Sequence, residues 1–150
     1  MFAQNAAKAY SNVNIETGVS AASPARLVVM LYDGAILQCA NAERHMAARQ
    51  IAEKGRAISH AITIIDTGLR GCLNLQSSPL AGQLDQLYEY MSRRLLLAGT
   101  KNDVAALREV SGLLIGLRSA WAEVADTAAR KAVAARNPAP SSVGLRYAVA

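Results

Sequence analysis

Three observations predict an all-α protein, an antiparallel up-down-up-down four-helix bundle with an N-terminal arm or short capping helix. Apolar residues recur at spacings of three and four through four long stretches, which is the period of a helix face. Two Ser-Pro pairs, Ser23-Pro24 and Ser78-Pro79, each offer a capping hydroxyl followed by a residue whose missing N–H costs nothing in a first turn. Hydrophobic residues make up 52% of the 150 but aromatics only 5%, with Ala and Leu dominant, which favours helices over strands.

The length suits one domain, 1–150, with a core of its own. Residues 1–22 have no sustained period and read as an arm. Phe2, Tyr10 and Val13 are among its apolar groups, and aromatic side chains on an arm seek a surface to dock on. The bundle spans 23–132.

The first helix is expected from Pro24 to about Arg49. Leu27, Leu31, Ala35, Cys39, Ala42 and Met46 form its inward face, with Val29, Tyr32 and Ile36 beside it. Gly34 lies inside it at a propensity cost of about 1 kcal/mol, which suggests close approach of another segment. A second helix covers Ile51 to Leu73, with a heptad seam of Ile58, Ile62, Ile65, Leu69 and Cys72. The third runs from the turn NLQSS and Pro79 to about Ala98, along Leu80, Leu84, Leu87, Met91 and Leu95. Gly99 is placed to end it in a left-handed conformation. Asn102 or Asp103 caps the fourth, whose seam is Leu107, Val110, Leu114, Leu117, Trp121 and Val124, with Trp121 assigned to the core. It is expected to fade after Ala132, leaving 133–150 as a flexible tail. Short connections between helices of similar length favour antiparallel neighbours.

No apolar run reaches the roughly 20 residues of a membrane span, and the N-terminus lacks a signal-peptide pattern. A cytoplasmic protein is expected. Cys39 and Cys72 have no ligand spacing and read as buried free thiols. The net charge is +5, but the arginines are scattered and no basic run is interleaved with aromatics, so a solvated surface is favoured over a nucleic-acid site. The sequence has no HExxH, CxxC, Walker loop or GxGxxG, and its histidines, His45 and His60, form no Glu-x-x-His pair. No metal, cofactor or catalytic set is expected. A helical enzyme using Arg93, Arg94 and Glu89 is the weaker alternative; a regulator binding nucleic acid or an anionic partner through its basic face is another.

What stands out is surplus apolar surface. The run Leu27 to Tyr32 and the run Leu95 to Leu97 cannot wholly face one core. The excess implies a groove for a partner or an arm that lies over it, with oligomerisation of the empty protein as the competing use.

These residues resemble the FliS family of flagellin export chaperones. The resemblance is carried by KAY at Lys8–Tyr10, ASPARL at Ala22–Leu27 and MLYDGA at Met30–Ala35. It continues through AISHAITIIDTGL at Ala57–Leu69, LDQLYEYMSRRLL at Leu84–Leu96, Asn102-Asp103, EVSGLL at Glu109–Leu114 and Trp121. Phe2 stands where the family often has Tyr, Gly99-Thr100 replaces a more polar or Leu-containing pair, and the tail after Ala132 matches nothing. The resemblance implies a four-helix bundle with an N-terminal cap and no catalytic activity. It implies one-to-one binding of the disordered C-terminal segment of flagellin in the cytoplasm and delivery to the export apparatus. It further implies that Tyr10 and its neighbours sit over an apolar groove and influence client binding, from which a gate is inferred. The client contacts expected are Phe2, Tyr10 and Val13 in the arm. In the groove they are Ile64, Leu87, Tyr88, Met91 and Leu95, named for apolar positions off the main seams.

Overall fold

A computed structural model describes residues 23–136. The described chain forms four helical rods: α1, Pro24–Ala47; α2, Ile51–Thr63; α3, Pro79–Lys101; and α4, Val104–Arg136. The α2 rod continues as a π-helical segment, Ile64–Leu69, and a terminal 3-10 turn, Arg70–Cys72.

Both Ser-Pro signals act as read. The Ser23 hydroxyl accepts from the Arg26 N–H at 3.1 Å, and the Ser78 hydroxyl from the Ala81 N–H at 3.4 Å. At the other end of α1, Arg49 is left-handed (φ 58°). The Gln50 N–H reaches back to the His45 carbonyl at 2.9 Å and the Arg49 N–H to Met46 at 3.2 Å. That pair of bonds closes the helix end, at a position where glycine is the usual residue.

Two helix ends differ from expectation. Gly99 does not stop α3; it stays helical because Ile58 lies against it, the Ile58 Cδ1 falling 3.1 Å from where a Cβ would be. Asn102 supplies the left-handed residue instead (φ 50°), since its short polar side chain tolerates that region. Asp103 then caps α4, accepting from the Ala106 N–H at 3.2 Å. The fourth helix continues past Ala132 to Arg136, so residues 133–136 are helical rather than tail.

α1 packs on α2 and α4, and α3 on the same two, so α1 and α3 are diagonal partners. Cross-helix ion pairs record the antiparallel order. Going down α1, Glu43, Asp33 and Arg26 meet Arg108, Arg118 and Asp126 in ascending order on α4. Between the α2 rod and α3, Lys54, Asp66 and Arg70 meet Gly99, Ser92 and Asp85. These links sit mostly at the surface, where each contributes about 0–1 kcal/mol. They fix register more than stability.

The energy lies in the core of Tyr32, Ile65, Leu69, Tyr88, Met91, Leu95, Leu107, Val110 and Leu114, all buried. Burying each such side chain stabilises by about 1.5–3 kcal/mol. The expected inward face of α1 holds at Ala35, Cys39 and Ala42, all buried; toward its start Val29 and Tyr32 take the inward positions, and Leu27, Leu31 and Met46 are only half-buried. Along α4 the expected seam holds to Leu114. Leu117 and Trp121 are half-buried, Val124 is 51% exposed, and Ala125 is buried in its place. A straight helix drifts about 20° per heptad from a 3.5-residue repeat, which moves the inward position from 124 to 125.

α1 and α2 approach closely through two glycines. A Cβ on Gly34 would meet Ile64 Cδ1 at 3.3 Å, and one on Gly68 would meet Leu31 Cδ2 at 3.0 Å. Gly68 lies within the π segment. Cys72, expected on the seam, falls in the 3-10 turn beyond the last buried residue of the rod, Leu69, and is exposed; Cys39 is buried as expected.

Candidate functional site

At the end where α1 starts and the α2 rod stops, the bundle opens into a cleft of about 750 Å³. Pro24, Leu27 and Val28 form one wall. Cys72, Leu73 and Leu75 form a second, and Trp121 of α4 closes the base. Local sequence builds each wall. Pro24 starts α1 at the end of the bundle where the α2 rod stops, so Leu27 and Val28 face the turn after α2 and Trp121 of α4. The turn after α2 is tied by Asn74, whose side chain accepts from the Gln76 N–H at 3.2 Å and whose carbonyl accepts from the Ser77 N–H at 3.0 Å. That turn holds Leu75 outward, 58% exposed. Trp121 packs against the core, as assigned, and also lines the cleft.

The cleft's chemistry is that of a seat rather than a reaction centre. Its lining side chains are mainly aliphatic and aromatic, with Asn74, Gln76 and the Cys72 thiol as polar groups. Cys72 is exposed as a residue, but the cleft walls partly desolvate its thiol and raise it above its ordinary value, which lowers its thiolate fraction and reactivity. Among the described residues no three of His, Cys, Asp and Glu gather as metal ligands. No described helix is long and apolar enough to cross a membrane.

The residues expected to bind a partner are placed as follows. Phe2, Tyr10 and Val13 lie outside the described residues. Tyr88, Met91 and Leu95 are buried in the centre of the bundle and face no open groove. Leu87 is half-buried against the same core. Ile64 sits at the α1–α2 seam against Gly34, on a different face from Leu87. None of the five lines the cleft. The residues that do were signalled in two places. One was the over-long apolar run from Leu27; the other was Leu75, an apolar residue inside a polar turn. The second surplus run also resolves: Leu95 is buried and Leu96 is 60% exposed on the outside of α3.

The fold and cleft together define a class, a helical bundle with an open apolar seat at one end. Comparison with known proteins narrows it. The family model described as flagellar protein FliS matches residues 6–128. The chain is 47% identical over 122 residues to the flagellar secretion chaperone FliSB of Pseudomonas aeruginosa, covering 81% of this chain and 96% of that one. It is 40% identical over 129 residues to the flagellar secretion chaperone FliS of Salmonella typhimurium, covering 85% and 96%. With the FliS of Bacillus subtilis the identity is 32% over 121 residues, covering 81% and 86%. The chain belongs to the FliS family of flagellar secretion chaperones.

Proposed function

We propose that this protein is a cytoplasmic export chaperone without catalytic activity. Its client is the disordered C-terminal segment of flagellin, which it keeps from polymerising early and delivers to the flagellar export apparatus. The observation that carries the reading is the cleft between Leu27, Leu75 and Trp121, an apolar seat wide enough for one face of an amphipathic helix. A segment that is disordered when free orders as it enters. Such coupled folding costs about 2–5 kcal/mol of the gross interaction, so one cleft is not enough and the client wraps further along the bundle. Exposed Met30, Leu37 and Leu96 offer it additional apolar contacts.

The empty cleft exposes apolar surface that invites association with a second copy. The arm before Ser23 joins the bundle at the cleft's rim, beside Pro24. In this reading Phe2, Tyr10 and Val13 cover the cleft in the absence of client and move aside when it arrives. Covering it at about 25 cal/mol per Å² would keep the empty protein monomeric.

Trp121 is the chain's single tryptophan and lies in the cleft, so it reports occupancy directly. Adding the flagellin C-terminal segment is expected to shift Trp121 fluorescence to the blue, saturating at one to one. An unchanged spectrum under conditions where the two proteins co-elute would place the client elsewhere and overturn the cleft as its seat.

A further inference from the structure

A second pocket, of about 340 Å³, lies at the opposite end of the bundle, between the α1–α2 turn, the start of α2 and the α3–α4 turn. His45, Arg49, Gln50, Lys54 and Asn102 supply its polar lining, and every ionisable group in that lining is basic. Five arginines elsewhere in the bundle are paired across elements. Arg26, Arg70, Arg94, Arg108 and Arg118 each meet a carboxylate on another element within 3.1 Å. Among the described residues His45, Arg49 and Lys54 have no such pair. The acids close in sequence are engaged: Asp103 caps α4, Glu43 holds Arg108 at 2.7 Å, and Glu53 lies 3.5 Å from Arg56.

Lys54 is the decisive residue. It is only 6% exposed, and its ammonium donates to the Gly99 carbonyl at 2.9 Å and to Asn102 Oδ1 at 2.5 Å. Both acceptors are neutral, and an ammonium carries three protons. A charge withdrawn from water without a counter-charge is unfavourable, and the pocket is the open space beside it. Arg49 stands at the rim with a planar fork that matches a carboxylate. The first turn of α2 has no side-chain cap, because Gln50 turns its amide to His45 Nδ1 at 2.6 Å. Its free N–H groups add to the positive field.

We propose that this pocket binds a carboxylate of a peptide partner, gripped by Arg49 and countering the buried charge of Lys54. The proposal rests on the chaperone reading and deepens it. A client seated in the apolar cleft would be anchored again some 35 Å away, the length of α1 at 1.5 Å per residue. The two anchors differ in chemistry, so they fix the direction in which the client lies. The carboxylate can belong to an acidic side chain or to a chain terminus.

The test uses the full chain, ¹⁵N-labelled, and small probes in place of the client. N-acetylglycine presents a terminal carboxylate, the α-amide of N-acetylglutamate a side-chain one, and N-acetylglycinamide neither; inorganic phosphate serves as the generic anion. Saturable shifts of the Arg49, Gln50 and Ile51 amides are expected with a carboxylate probe and not with the amide, and the tighter carboxylate identifies the source. Arg49→Gln, at an exposed position, is expected to weaken that binding about tenfold, with an unchanged melting temperature. No saturable shift from either carboxylate would overturn the proposal. So would phosphate binding equally well and Arg49→Gln making no difference, the behaviour of an adventitious ion only. The probes contain no client, so failure here leaves the cleft reading untouched. Failure of the client to bind at all would count against that reading and not against the pocket.

Discussion

The hydroxyls of Tyr32 and Tyr88 are hydrogen bonded to each other across the diagonal of the bundle, α1 to α3, with ring centroids 6.4 Å apart and planes inclined at 52°. Both residues are buried; the Tyr88 hydroxyl depends on Tyr32, while the Tyr32 hydroxyl also has the Trp121 side chain beside it. The pair links the two helices that sit diagonally across the bundle, and it does so with a bond that only the correct diagonal satisfies. Tyr32→Phe strands the Tyr88 hydroxyl and is expected to cost about 1–3 kcal/mol in urea unfolding; Tyr88→Phe leaves the Tyr32 hydroxyl with Trp121 and is expected to cost less. The double change removes both and is expected to cost less than the two singles added. Strict additivity would show that the hydroxyls do not depend on one another.

Stability is expected to fall in alkali, and the sign follows from burial. Burial pushes the Cys39 thiol from 9.0 up to about 12, and burial, reinforced by the bond to Tyr88, raises Tyr32 above its ordinary 10.0. The folded state therefore holds protons that the unfolded chain releases. The contribution is complete below about pH 9 and is lost as pH rises from there toward the folded values. Each group adds a slope of about −1.4 kcal/mol per pH unit. Cys39→Ala lowers stability throughout but is expected to lessen the decline between about pH 9 and 10, where the two thiols, Cys39 and Cys72, contribute before the tyrosines. An unaltered slope in that variant would mean that the thiol is not desolvated.

Two glycines of the α2 rod are expected to respond differently to alanine. Gly55 has open space where a Cβ would go, so Gly55→Ala is expected to stabilise by about 0.5–1 kcal/mol from helix propensity. At Gly68 the same methyl meets Leu31 at 3.0 Å, and the displacement of Leu31 offsets that gain. Thermal melts of the two variants compare them directly; equal stabilisation would show that the α1–α2 approach is slack.

The two left-handed residues also separate. Arg49→Gly is expected to raise stability by about 1 kcal/mol, since glycine relieves the strain at φ 58° and no bond in the structure depends on that side chain. Asn102→Gly keeps the backbone but removes an acceptor from buried Lys54. It is expected to lower stability by about 1.5–3 kcal/mol, measured by denaturant unfolding. A stabilised Asn102→Gly variant would show that Lys54 does not need that partner.

The helices were legible because their signals are local: Ser23, Ser78 and Asp103 cap the helices they precede, and apolar periodicity runs through each. Orientation was not legible. The stripe chosen for α1 holds at Ala35, Cys39 and Ala42, but near the helix start two apolar faces lie side by side, and only packing against α2 and α4 selects Val29 and Tyr32 over Leu27 and Leu31. The same uncertainty sent Tyr88, Met91 and Leu95 to a groove when they fill the core. Gly99 misled because a glycine can end a helix or admit a neighbour, and Ile58 decides which. The cleft joins Leu27, Leu75 and Trp121, residues far apart in sequence, and no local pattern brings them together.

The most direct measurement is calorimetric titration of the full chain with the C-terminal segment of flagellin, at two temperatures and two salt concentrations, beside Trp121→Ala and Leu27→Asp. The expected result is one-to-one binding with a negative heat-capacity change and weak salt dependence. Affinity should fall by at least about 2 kcal/mol in each variant, the loss typical of a central contact. Binding that vanishes with salt would indicate an electrostatic surface instead. No binding, or binding that both variants leave intact, would contradict the cleft as the seat of the client.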